Sequence, residues 1–285
     1  MVILDERAVV NRLRQLGLLE NPFLAYPDAR YYVPCVEHAS LYQEILQLCV
    51  GDLQQRVALI RGEAGTGKTT LTTRLVNTFF PGGVVSLSAV LINEPVPTQT
   101  TFVRSINDSF ALETKRSLEE RLDILKDFVL QQQGGRSGLF VLVDGNINSQ
   151  IWSTLLDILS WEQNGELLNV RTAVFSENNL FKYEESKKKL KDFVGVRKTL
   201  GALSFASSTR ILESLPKMAG RSAPLFQPSA AAEIVEYSNG HPGNLISLAR
   251  KTFDLLLDSN EMSISLQMVM EARNKRLNLE IAPVG

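Results

Sequence analysis

Short apolar runs alternate with longer segments of helical periodicity over the first two thirds of the chain. Four runs have the length and composition of buried strands, at residues 57–60, 84–90, 139–143 and 170–175. Between them lie amphipathic segments, such as the one with Leu118, Leu122, Leu125 and Val129 on one face. Strands that alternate with helices predict an α/β fold with a mostly parallel sheet flanked by helices.

Turn and cap residues divide the chain into three parts. Residues 1–50 have helical patterns around a connector with Pro22 and Pro27, and the second of these helices is expected at 38–50. Strand-like runs stop at Ser204, after which cap signals mark several helices. We therefore predict an N-terminal helical and connector region at 1–50 that packs on the core, an α/β domain at 51–203, and a small all-helical domain at 204–285.

Individual helix boundaries follow from the same signals. Ser117 with Glu120 three residues later has the spacing of a capping box. Asn239 and Gly240 are expected to end one helix, and Pro242 suits the first turn of the next. Ser204, Ser229 and Ser263 each precede a segment that can form a helix.

Composition narrows the class of protein. The chain has 285 residues, a net charge of −1 and two cysteines that form no CxxC motif, Cys35 and Cys49. Because His38 and His241 are its only histidines, a zinc site is not expected. No apolar run reaches the length of a membrane span, and the N-terminal residues lack the apolar region of a signal peptide, so we expect a cytoplasmic protein.

A glycine-rich loop follows the first strand and precedes a helix-compatible segment. Its spacing, Gly62-x4-Gly67-Lys68-Thr69, is a complete Walker A motif. Lys68 is expected to reach the β- and γ-phosphates of ATP, and Thr69 to coordinate Mg2+. The contacts expected from this loop are Gly62, Glu63, Ala64, Gly65, Thr66, Gly67, Lys68, Thr69 and Thr70.

A second motif ends the third strand. Residues 139–143 are apolar and lead into Asp144, which has the form of a Walker B carboxylate that holds Mg2+ through water. Since one strand and its helices intervene between Lys68 and Asp144, their two strands are not expected to be neighbours in the sheet. Gly145 follows Asp144, and glycine cannot act as a general base.

In its motifs the chain resembles the AAA+ P-loop ATPases, in particular the group with ExeA/GspA-type secretion ATPases and TnsC- and MuB-like transposition regulators. The resemblance covers about residues 20–260 and includes both Walker motifs. It also rests on Asn21-Pro22-Phe23, Tyr26-Pro27-Asp28, Leu200-Gly-Ala-Leu203-Ser204, the segment at 219–226 and Tyr237-Ser-Asn-Gly240-His-Pro242. It implies an AAA+ sheet domain followed by a helical lid, with ATP and Mg2+ as cofactors.

The resemblance also implies roles for residues outside the loop. Pro22 and Phe23 would lie near the adenine, although Phe23 could equally be a core residue. Glu177 or Asn178 follows the fourth strand, where the family carries the polar sensor 1 residue. The alternative there is a helix N-cap cluster. Pro242 belongs to the Gly-x-Pro motif of the lid, and the catalytic functions fall on Lys68 and Asp144.

Three positions depart from the family pattern. Gly145 stands where related ATPases carry a glutamate, Phe193 where an arginine finger is expected, and Gly243 where the sensor 2 arginine follows the proline. Arg197 is near enough to replace the finger, whereas Arg250 lies seven residues beyond Gly243, about 10 Å along a helix, which is too far for a simple replacement of the sensor 2 arginine. The hypothesis is an ATP-binding assembly switch with slow or absent hydrolysis, and the alternative is an atypical but active ATPase.

Partners follow only from the resemblance and from two basic clusters. Lys187, Lys188, Lys189 and Lys191 are preceded by Glu184 and Glu185, so a solvated helix face explains them as well as a binding surface does. Arg273, Lys275 and Arg276 form the second cluster. The expected partners are a second copy or a related AAA+ subunit, DNA, and a transposase. The alternatives are an envelope-assembly partner or a pseudo-ATPase scaffold.

Overall fold

The computed structural model describes residues 6–23, 28–79, 87–93, 97–113, 115–132, 138–178, 180 and 188–281. The chain forms two compact units. The sheet unit comprises Glu37–Ala64 and Lys68–Gly201. The helical unit comprises Met1–Val36, Gly65–Gly67 and Ala202–Gly285. Pro27, Glu184, Glu185 and Lys187 lie outside the described residues.

The sheet unit is built on a five-stranded parallel sheet in the order β2-β3-β6-β1-β7. Its strands are β1 (Val57–Gly62), β2 (Leu87–Asn93), β3 (Gly138–Asp144), β6 (Val170–Ser176) and β7 (Val194–Leu200). Because β6 lies between β1 and β3, the prediction that the strands leading to Lys68 and Asp144 are not neighbours is confirmed. All the carboxyl ends of these parallel strands lie at one edge.

Helices cover both faces of this sheet. They are α2 (Val36–Val50), α3 (Lys68–Phe79), α4 (Gln99–Ser109), α5 (Leu118–Gln132), α6 (Ser149–Leu159) and α7 (Lys188–Phe193). Alternate strand residues enter two separate cores, as Val57 and Leu59 pack with α4 to α6 whereas Ala58 and Ile60 pack with α2 and α3. Strands buried on both faces read as continuous apolar runs, which is the signal that predicted them.

Two features of the sheet unit were not predicted. Strand β7 has only Val196 and Leu200 buried, so it forms no apolar run. A small hairpin, β4 (Glu162–Gln163) and β5 (Glu166–Leu167), turns at Asn164-Gly165, where both residues have positive φ. Asn-Gly is the strongest short hairpin signal, and it was overlooked. The second strand runs over Leu87–Asn93, and positions 84–86 of its predicted range lie outside the described residues.

The helical unit contains α1 (Glu6–Gln15), a short 3-10 helix (Ala29–Tyr31), α8 (Phe205–Met218), α9 (Pro228–Ser238), α10 (Pro242–Leu257) and α11 (Leu266–Ile281). Its core joins Leu16 and Phe23 to residues of the later helices, such as Leu212 and Leu245. Residues before position 37 thus group with the C-terminal helices, while 37–50 group with the sheet. The predicted C-terminal helical region is confirmed.

Most of the predicted helix boundaries are found. Ser117 Oγ accepts from the N–H of Glu120 at 3.2 Å, and the Glu120 carboxylate accepts from the N–H of Ser117 at 3.3 Å, which is the capping box. Ser204 caps α8, and Asn239 ends α9 in the left-handed conformation at a φ of 48°. Ser229 lies inside α9, which begins after Gln227 with Pro228 at its first position, whereas Ser263 precedes α11 by three residues. Within the described ranges, no helix is long and apolar enough to cross a bilayer.

Candidate nucleotide-binding site

The phosphate-binding loop begins where β1 ends, at Gly62, and stops where α3 begins, at Lys68. Gly65 and Gly67 have φ values of 77° and 93°, which L side chains rarely adopt, so glycine is required at both positions. The first N–H groups of α3 follow directly, and a helix N-terminus favours bound anions. The loop therefore has the backbone form that a phosphate-binding site needs.

Lys68 is the buried cation of this loop. Its side chain is only 10% exposed, and its Nζ donates to the carbonyl oxygens of Gly62 and Glu63, each at 2.8 Å. The carboxylate of Glu177 lies 3.5 Å from the same nitrogen. The structure thus brings together two predicted site residues that are 109 positions apart in the chain.

Asp144 and the start of α3 form the candidate magnesium site. Thr72 places its hydroxyl 3.4 Å from the carboxylate of Asp144 and donates at 3.0 Å to the carbonyl of Thr69. Thr69, the predicted hydroxyl ligand, is exposed at the second position of α3. One carboxylate with one hydroxyl suits Mg2+, which keeps several waters and takes its other ligands from phosphates. No cluster of three acidic, histidine or cysteine side chains occurs in the part of the chain described.

The carboxyl ends of β3 and β6 are tied together beside Asp144. Gly145 donates its N–H to the carbonyl of Phe175 at 2.8 Å and has a φ of 150°. Ser176 donates to Asn146 Oδ1 at 2.5 Å, and the N–H of Asn178 lies 3.0 Å from the hydroxyl of Ser176. The backbone at the predicted sensor 1 position is therefore fixed by side chains of its neighbours.

The remaining predicted site residues differ in burial and in the groups that surround them. Thr66 is buried, Thr70 is half-buried and Ala64 is exposed. Pro22 and Phe23 are buried, and the Phe23 ring makes edge contacts with Phe226 and Phe253 at centroid distances of 5.7 Å. These surroundings match the core alternative for Phe23.

At the sensor 2 position, Gly243 packs directly against the backbone of Gly65. Pro242 stands at the first turn of α10, and the N–H of Gly243 donates to the carbonyl of Gly65 at 2.9 Å, both glycines belonging to the helical unit. A Cβ added at Gly243 would lie 2.9 Å from the Cα of Gly65. An arginine therefore does not fit at residue 243 in this arrangement.

The candidate arginines lie on other elements. Arg197 is exposed on β7, at the edge of the sheet, in register with Leu59. Arg250 is exposed on α10. Phe193, at the expected finger position, has its ring 4.7 Å from the guanidinium carbon of the buried Arg56.

Sequence reasoning missed Thr72 and Asn146. Thr72 lies one helical turn after Lys68, so helix periodicity could have placed it on the same face of α3. Asn146 follows Asp144 by two residues, but its bonds to Ser176 and Asn178 depend on the pairing of β3 with β6. Only the folded sheet shows those bonds.

The comparisons with known proteins agree with this geometry. The family model described as an AAA domain matches residues 52–168, which include both Walker motifs. No curated protein sequence matches the chain at a significant level.

Solved structures of similar fold include proteins from Aeropyrum pernix and Pyrobaculum aerophilum. ORC2 of Aeropyrum pernix, in ADPNP and ADP complexes, is 18% identical, covers 91% of this chain and 73% of its own, and has a TM-score of 0.67. CDC6P of Pyrobaculum aerophilum is 16% identical, covers 90% and 74%, and has a TM-score of 0.68. ORC1 of Aeropyrum pernix, in complex with DNA, is 16% identical, covers 93% and 75%, and has a TM-score of 0.64.

These likenesses concern the fold, which the sheet order and the C-terminal helices already define. The chain therefore has the AAA+ P-loop fold, and the AAA domain model matches its residues 52–168.

Proposed function

We propose that this chain is an ATP-binding AAA+ switch that hydrolyses ATP slowly or not at all. The observation that carries the proposal is the asymmetry of the site. Lys68 is buried in a complete phosphate-binding loop, while the residue after Asp144 is a glycine. Groups for binding ATP are present, and the usual group for activating water is missing from its usual position.

The chain's own residues fit Mg-ATP. Lys68 would reach the β- and γ-phosphates, the N–H groups of the loop would surround phosphate oxygens, and Thr69 and Asp144 would hold Mg2+. When bound, Mg2+ would neutralise charge on the phosphates. Thr72 would position the carboxylate of Asp144 when its single hydroxyl proton turns to that carboxylate from the carbonyl of Thr69.

Slow hydrolysis is proposed because uncharged residues occupy three positions at which related ATPases carry charged ones: Gly145, Phe193 and Gly243. The φ of 150° at Gly145 disfavours a glutamate there, since L side chains rarely adopt it. Gly243 approaches Gly65 too closely for a side chain, and Phe193 carries no charge. An arginine finger alone is worth a factor of about 10³ to 10⁵ in phosphoryl transfer, so losing it slows turnover strongly.

Steady-state hydrolysis measured beside nucleotide affinity tests this proposal. We expect saturable Mg-ATP binding with turnover well below about 1 s⁻¹, the lower end for ordinary enzymes. Lys68→Ala should abolish binding, because it removes the buried cation of the loop. Lys217→Ala, which removes an exposed lysine of α8, serves as the control for lost charge. Turnover near 1 s⁻¹ or faster that disappears in Lys68→Ala would contradict slow hydrolysis.

The partner that we propose is DNA. ATP-bound protomers would assemble with one another on DNA and recruit a further protein, such as a transposase, as the resemblance to transposition regulators implies. A neighbour in fold, ORC1 of Aeropyrum pernix, was solved in complex with DNA, which supports this choice. The chain as a whole carries a net charge of −1, so DNA contacts would depend on local basic residues.

A DNA-binding titration in ATP and in ADP, repeated at several salt concentrations, tests the partner. We expect tighter binding in ATP, with affinity that falls as salt rises because phosphate contacts release counterions. The same DNA titrations with Lys68→Ala distinguish DNA binding that requires bound ATP from nonspecific DNA binding. Absence of binding at low salt in both nucleotides would rule out DNA and would leave the envelope-assembly and scaffold alternatives.

A further inference from the structure

All three N–H donors of the Lys68 ammonium group are matched by nearby oxygen atoms. A lysine ammonium has three N–H donors, and Lys68 faces three oxygens, those of Gly62, Glu63 and Glu177. An ATP phosphate that binds Lys68 must therefore replace at least one of these oxygens. The question is which of them leaves.

The three oxygens are not equivalent. The carbonyls of Gly62 and Glu63 lie at 2.8 Å and belong to the backbone that shapes the loop. The carboxylate of Glu177 lies at 3.5 Å, and its side chain is 54% exposed. A long ion pair with one exposed partner is the weakest of the three interactions, so Glu177 is the group that a phosphate displaces.

The position of Glu177 allows this displacement without a backbone change. It comes directly after β6, which pairs with β1 and β3 on its two sides. On either side of it, Ser176 and the N–H of Asn178 are fixed by hydrogen bonds. The carboxylate can therefore rotate into solvent while the strand end stays in place.

We propose that Glu177 is an internal competitor for Lys68 that phosphate displaces, and that it sets the nucleotide affinity of the site. This inference rests on the proposed function, in which the loop binds Mg-ATP. It reverses the role expected from the sequence, where Glu177 was a residue that contacts the nucleotide. Removing a competitor tightens binding, whereas removing a contact weakens it.

Isothermal titration calorimetry of Mg-ATP binding to Glu177 variants distinguishes the two roles, because it measures the affinity of each variant. Exposed ion pairs contribute about 0.2–1 kcal/mol, which converts to an affinity gain of up to about fivefold in Glu177→Ala. Glu177→Asp keeps the charge but shortens the side chain by one methylene, so binding should tighten to a lesser extent. Glu166→Gln on β5 removes the same charge from an exposed position before β6 and should leave the affinity unchanged.

Each other outcome overturns the inference. Weaker binding in Glu177→Ala would show that the carboxylate contacts the nucleotide or its metal. Unchanged binding would show that the ion pair has no effect on affinity. Tightening in Glu177→Ala with wild-type affinity in Glu177→Asp would assign the effect to general charge. If the unaltered chain does not bind Mg-ATP, the proposed function fails as well, whereas the first three outcomes leave it standing.

Discussion

At the scale of single residues, Phe23 separates two interpretations of the N-terminal motif. The family pattern assigns it to the adenine, whereas its ring is fully buried against Phe226 and Phe253. We expect Phe23→Ala to lower the free energy of unfolding of the helical unit by about 3–5 kcal/mol, since it leaves a cavity in a packed aromatic cluster. Chemical denaturation followed by circular dichroism measures this loss.

The control for Phe23 is a substitution that keeps most of the volume. Phe23→Leu should cost much less than the alanine variant, because the site remains largely filled. Under conditions where both variants are folded, their Mg-ATP dissociation constants should match that of the unaltered chain. A large loss of nucleotide affinity in Phe23→Leu, with little loss of stability, would indicate that this residue contacts the adenine instead.

Residues whose role is local could be predicted from the sequence. Gly65, Gly67 and Lys68 act through the backbone shape of one short loop, and the motif spacing determines that shape. Asn146 could not be found in this way, because its bonds depend on two strands that are separated by a helix. The same limit applied to Glu177, which the pattern placed near the phosphates but not on Lys68.

At the scale of secondary structure, prediction succeeded where burial or capping left a strong signal. Strands β1, β3 and β6 are buried on both faces, so they appear in the sequence as continuous apolar runs. Strand β7 is an edge strand with exposed Arg197, Lys198 and Thr199, and it carries no such run. An edge strand depends on its neighbour for its conformation, which is information that the single segment lacks.

One set of hydrogen bonds between β6 and α2 could not be predicted from the hydrophobic pattern of the sequence. Arg171, at the start of β6, is buried and donates to the carbonyls of Leu48 and Gly51 at the end of α2. Burial lowers its pKa from the ordinary value, yet it keeps these backbone partners. A charged residue inside an apolar run thus marks a helix C-terminus whose carbonyl groups need donors.

At the scale of the whole molecule, the separation of the strands leading to Lys68 and Asp144 was predictable from the strand and helices between the two Walker motifs, whereas the full order of the sheet was not predicted. The grouping of residues before position 37 with the C-terminal helices was not, because it depends on core contacts such as that of Phe23 with Phe253. The two units have separate apolar cores, and Lys68 and Asp144 both belong to the sheet unit. Of the phosphate-binding loop, Gly65–Gly67 group with the helical unit. A ligand held mainly by Lys68 and Asp144 should therefore stabilise the sheet unit more than the helical unit.

Differential scanning calorimetry with and without Mg-ATP tests this selectivity. At a free concentration one hundred times the dissociation constant, binding adds about 2.7 kcal/mol, which raises the midpoint of the sheet unit by about 5–10 °C. The transition of the helical unit is identified as the one that Phe23→Ala lowers. Lys68→Ala should abolish the rise, because the sheet unit then lacks its phosphate-binding cation. A single transition that both Mg-ATP and Phe23→Ala shift would contradict separate stabilisation, since the two cores would then unfold together.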